Sequence, residues 1–108
     1  MSKYMYRVSY TQSGIQGVLK EGGTSRKDFV EKMAAGMGGT IESFYFTFGD
    51  QDVIVIADMP DDATAAAVSM AVGGSGAASI ETTVLLDPSV IDKASGITTG
   101  YRPPGASG

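Results

Sequence analysis

Few residues in this chain can do chemistry, and they are scattered. Asp50 and Asp52 flank Gln51 between two strand-like runs, Glu81 stands alone in the last such run, and Lys20 and Arg26 lie on either side of Gly22-Gly23. Paired carboxylates do general acid and base work when their environments split their pKa values. Asp52 begins an apolar run where its charge would need a partner, so Asp52 and Glu81 are the catalytic candidates. Two aspartates in a turn have a simpler use as turn formers, because Asp bonds its own nearby backbone. The stretch Gly22-Gly23-Thr24-Ser25-Arg26-Lys27 sets two hydroxyls and two cations at a helix start. Free N–H groups there favour a carboxylate or phosphate, although an ordinary capped helix with solvated basic residues accounts for the same pattern. The P-loop spacing is missing.

What the chain lacks narrows the chemistry further. With no His and no Cys, it has no zinc site of the imidazole or thiolate kind, no Ser-His-Asp triad, no thiol nucleophile and no His-ligated haem. No metal or cofactor is therefore called for. Only eight basic residues and a net charge of −4 argue against a sequence-independent nucleic-acid binder, which draws its affinity from neutralised phosphates. No apolar run approaches the roughly 18 residues that would read as a membrane span. The N-terminus runs into strand-like sequence without an apolar signal core, so a cytoplasmic address is expected.

The elements that must position these residues follow from periodicity. Residues 4–10 alternate, with Tyr4, Tyr6, Val8 and Tyr10 on one face and Met5, Arg7 and Ser9 on the other, which predicts a first strand. Arg7 reads as a solvated or salt-bridged charge, with an anion ligand as the sharper alternative. Residues 11–23 carry too many glycines for a long helix and predict a loop with a short turn at 15–20, pinned by Ile15, Val18 and Leu19. Thr24 and Ser25 are N-cap types, and Phe29, Val30, Met33, Ala34 and Met37 recur at helical spacing until Gly36, Gly38 and Gly39. Residues 40–48 and 53–58 predict a hairpin at the middle of a sheet, with Phe44, Phe46 and Phe48 on one face and Tyr45 on the other. Asp61 is placed to cap an alanine-rich helix over 63–72, and residues 78–86 predict a fourth strand.

The order strand, helix, strand, strand, helix, strand is that of an α+β, ferredoxin-like βαββαβ fold with a four-stranded antiparallel sheet. Residues 1–95 form the domain, with a short helical piece at 89–94, and 96–108 read as a tail. Two good helices cover one sheet face only, so a second copy of the chain is expected on the other.

The segments Gly14-Ile15, Gly17-Val18-Leu19-Lys20, Gly22-Gly23 with Ser25-Arg26, Gly38-Gly39, Phe48-Gly49-Asp50, Asp52-Val53, Pro60-Asp61 and Tyr101-Arg102-Pro103-Pro104 together resemble the GYD domain family, most closely its small bacterial members. Gly49 and Asp52 fit the Gly-Tyr-Asp that names the family, while Gln51 stands in the place of the tyrosine. The resemblance implies a ferredoxin-like subunit of the dimeric α/β-barrel kind, whose architectural relatives include cofactor-free monooxygenases, isomerases, decarboxylases and proteins that only bind. Three functions follow as expectations. The first is a homodimer, or higher homo-oligomer, that binds a small organic molecule, with an anion as one option, in a pocket between sheet and helices, lined by Tyr6, Tyr10, Tyr45 and Phe46 and polarised by Arg26 or Lys20. The second is a cofactor-independent enzyme with Asp52 or Glu81 as base, a tyrosine as acid and Arg26 facing an enolate. The third is an assembly module with a filled core.

Overall fold

Alternation of large apolar and polar residues makes residues 2–10 a strand that can be buried on one face and paired on both edges. The computed structural model describes residues 1–105 and uses the strand in this way. β1 (Ser2–Tyr10) lies between β3 (Val53–Met59) and β4 (Ala78–Leu85), antiparallel to both, and β2 (Thr40–Phe46) closes the other side of β3. The order β2-β3-β1-β4 makes one open antiparallel sheet of an α+β, ferredoxin-like fold. The hairpin expected over 40–58 is therefore only half central: β3 is interior, but β2 is an edge. Each crossover skips a strand position, and this inserts β1 beside β3.

Tyr4, Tyr6 and Val8 of β1 and Val53, Val55, Ala57 and Met59 of β3 share one face and form the core with Ala65 and Ala78. Among the described residues, four helices accompany the sheet. α1 (Gln12–Glu21) and α2 (Gly23–Gly36) connect β1 to β2, α3 (Asp62–Gly74) connects β3 to β4, and α4 (Pro88–Ser95) follows β4. Asp61 caps α3 as its sequence position predicts, accepting from the Thr64 N–H at 2.7 Å.

Three local expectations change. Residues 12–21 form a ten-residue helix rather than a loop. Tertiary contact outweighs the glycine penalty here: Gly14 is buried against the Ala77 backbone, and Thr11 bonds both the Gly14 N–H and the carbonyls of Gly76 and Ala77. Leu19, expected to pin this segment, faces solvent. α2 then starts at Gly23 with Gly22 as its N-cap and no side-chain cap. Gly22, at φ 93°, turns the chain directly from one helix into the next, so Thr24 and Ser25 fall inside the helix. The tail expected over 96–108 is described as far as Gly105, and its last residues, 106–108, lie outside the described residues. Among the described residues, no helix is long and apolar enough to cross a membrane.

The Gly14 contact gives a paired test. A Cβ on Gly14 would sit 2.0 Å from the Ala77 carbonyl oxygen, whereas one on Gly17 meets nothing within 4 Å. Gly14→Ala is expected to cost about 1–3 kcal/mol by overpacking, and Gly17→Ala to gain up to about 1 kcal/mol from helix propensity. Urea denaturation midpoints compare the two, and equal shifts would refute the close approach.

Candidate functional site

The two outer strands decide where the helices sit. α2 packs over β2 and α3 chiefly over β4, so the central strands lie at the floor of a gap between the helices. The gap is a cavity of about 270 Å³. Its floor is Tyr6, Val8, Val53 and Val55, and its walls include Met33 from α2 and Val68 from α3. Phe44 closes the β2 side, held edge-on by Phe46 with ring centroids 5.6 Å apart.

Polar groups reach this apolar space at one end. Arg26, in the second turn of α2, and Tyr10, the last residue of β1, both line it, with Ser75 beyond the end of α3. The Arg26 guanidinium lies 4.9 Å from the centre of the Phe29 ring and beside the Tyr10 hydroxyl. Among the described residues, Arg26 forms no ion pair. A half-buried guanidinium without a carboxylate, at the rim of an apolar cavity, can receive an anionic ligand.

Tyr10 titrates above the ordinary tyrosine value because burial disfavours its charged form; Arg26 acts the other way, while Asp52 and Glu21 reinforce the rise. Burial likewise raises Tyr6, whose hydroxyl donates to the Ala65 carbonyl at 3.1 Å. Tyr4 is raised first by its hydrogen bond to Asp62. Both hydroxyls tie β1 to α3. Tyr6 thus contributes its ring face to the cavity, and its hydroxyl is already engaged.

Of the residues singled out from sequence, Tyr6, Tyr10 and Arg26 come together here. The others lie elsewhere. Tyr45 is on the opposite sheet face, where its partner Ile54 also lies. Phe46 covers Gly23 and stands behind Phe44. Lys20 is exposed in the last turn of α1, at the favourable end of that helix's dipole. The Asp52 carboxylate accepts the Tyr10 backbone N–H at 2.8 Å, and its own N–H donates to the Val8 carbonyl at 2.8 Å. It therefore fastens the β2–β3 loop to the end of β1. Gln51 and Asp50 take part in the same fastening by accepting from the Ser9 hydroxyl. Glu81 is on the open sheet face, paired with Arg7 at 2.7 Å.

Residues 4–94 match the sequence model of the GYD domain. The chain belongs to the GYD domain family. Among curated proteins and among solved structures, nothing matches it. The GYD domain's matched span takes in the whole cavity floor, both walls and Arg26.

Sequence reasoning did not assign Met33, Met37, Val68 or Phe44 to a site. Their helical and strand spacing marked the inward face correctly, but spacing cannot say whether the facing element touches or stands off.

The buried tyrosines set an alkaline limit. Unfolded tyrosines ionise near pH 10, whereas Tyr10 holds its proton to higher pH in the fold. Its contribution is therefore intact below about pH 10 and is lost as pH rises through the folded value. Denaturant midpoints at increasing pH should fall above that point, and Tyr10→Phe should make the fall shallower. An identical slope in the variant would remove Tyr10 as a contributor.

Proposed function

We propose that this GYD-domain protein is a homodimer that binds a small organic acid in the cavity between its sheet and helices. The observation that carries the reading is the joining of an apolar cavity of about 270 Å³ to Arg26 at its rim, which forms no ion pair among the described residues. The space is far larger than a single water needs and is of a size that takes a small organic molecule. An apolar body would lie over Val8, Val53 and Met33, and its carboxylate would meet Arg26 and the Tyr10 hydroxyl. In a partly desolvated site a charge-assisted bond to guanidinium is about twice as strong as a neutral one, which favours the acid over its amide.

Binding is favoured over base-catalysed turnover by the positions of the carboxylates. Asp52 is engaged by backbone N–H, and Glu81 lies on the other side of the sheet. Among the described residues no Asp or Glu lines the cavity.

The homodimer is supported by the open sheet face. Met5, Ile54 and Ile56 are only half-buried there in a single chain, and the charges around them are already mutually paired: Lys3 with Glu42 and Asp58, and Arg7 with Glu81.

Isothermal titration with octanoate, phenylpropionate and their amides tests the reading. One of the acids should bind at least ten-fold more tightly than its amide, and Arg26→Gln should abolish that preference while leaving the fold intact. Failure of both acids to bind, or an acid preference that survives in Arg26→Gln, would sink it.

A further inference from the structure

The C-terminal arm stands away from its own body. α4 buries none of its residues, and the chain after it continues exposed to Gly105. The radius of gyration is 17.8 Å and the longest dimension 62 Å, against about 13 Å expected for the radius of a compact chain of this length. A nine-residue strand spans only about 30 Å, so the arm accounts for the excess length. It also accounts for excess surface. A compact chain of 11.1 kDa exposes about 5,700 Å², whereas this one exposes 7311 Å².

The exposed arm is not polar. Val90, Ile91, Ala94 and Ile97 recur at the spacing of one helical stripe, and Val90, Ile91 and Ile97 are 42%, 54% and 67% exposed, with Tyr101 beyond them at 74%. Apolar residues held in a row in solvent call for a cover. The same chain carries a complementary feature, the open sheet face centred on the half-buried Met5, Ile54 and Ile56.

We propose that the arm of each copy, α4 and the residues after it, lies across the open sheet face of a second copy, as a reciprocal exchange. The inference rests on the homodimer reading and adds to it the segment that holds the two copies together. Reach permits it. Eight helical residues give about 12 Å and the following nine or ten extended residues up to about 33 Å, while a four-stranded sheet is only about 14 Å wide between its outer strands. Area permits it as well. Each chain exposes roughly 1,600 Å² beyond a compact monomer, and a stable interface buries about 1,200–2,000 Å² in total.

The test compares the full chain with a chain ending at Leu86 and with the double variant Val90→Asp/Ile91→Asp, by native mass spectrometry and by sedimentation over a concentration series. Neither Val90 nor Ile91 belongs to the core, so the double variant keeps a folded body even if the shortened chain does not. The full chain should be a dimer, and both altered chains should dissociate at least ten-fold more readily with unchanged circular dichroism. The chain has no cysteine, so placement is read by mixing an Ile91→Cys chain with an Ile56→Cys chain, which should give a disulfide-linked heterodimer under mild oxidation. A dimer unaffected by the arm variants, or one that forms no such cross-link, overturns the arm exchange and leaves the homodimer standing. A full chain that is monomeric at all concentrations overturns both.

Discussion

The double pairing of β1 is the constraint on which the rest depends. Its register against β3 sets Tyr6 beside Val55 and Val8 beside Val53, and its register against β4 sets Val8 beside Ile80. Both of its buried tyrosines then carry a hydroxyl into α3, to Asp62 and to the Ala65 carbonyl. A buried hydroxyl left unbonded costs about 1–3 kcal/mol, so these two bonds fix α3 at a defined height above the sheet. α3 is thereby held toward the β4 side, and the space over the centre of the sheet is left open.

The other wall is placed by a different device. Gly22 joins α1 to α2 without an intervening loop, and Gly14 seats α1 against Ala77. Gly23 lies under Phe46, and Gly39 lies against Asp58 and Met59. Three close approaches, at Gly14, Gly23 and Gly39, and the positive-φ link at Gly22 therefore position α1 and α2 against the sheet. Small residues act here as spacers: they let backbone come near at the ends of α2, and the larger Met33, Met37 and Phe44 then fill only part of the distance to the opposite helix.

The charge distribution separates two environments. On the open face every described charge among Lys3, Arg7, Asp58 and Glu81 has a partner, which lowers the cost of covering that face. At the cavity rim Arg26 has an aromatic face and a tyrosine hydroxyl beside it instead of a carboxylate. A guanidinium in that setting keeps most of its capacity for a bidentate anion. Asp52, whose charge is felt at Tyr10, is occupied by the backbone N–H of Tyr10. The turn thus keeps a negative charge close to Tyr10 without placing it in the cavity.

The sequence alone determined the strands, the two principal helices, their ferredoxin-like order and the inward faces, because alternation and 3.6-residue spacing are local signals. It also determined the Asp61 cap, and Tyr6, Tyr10 and Arg26 as residues of interest. Tertiary structure decided the rest. It placed β2 at an edge, made a helix of glycine-rich residues 12–21, put Tyr45 and Glu81 on the far face, and turned Asp52 into a backbone acceptor. Each of these depends on contacts between residues distant in the chain, and such contacts offset a glycine penalty of about 1 kcal/mol or fix a register that no local pattern encodes. The cavity itself belongs to the same class. Its lining was legible as core, but its emptiness follows only from the distance at which two helices are held apart.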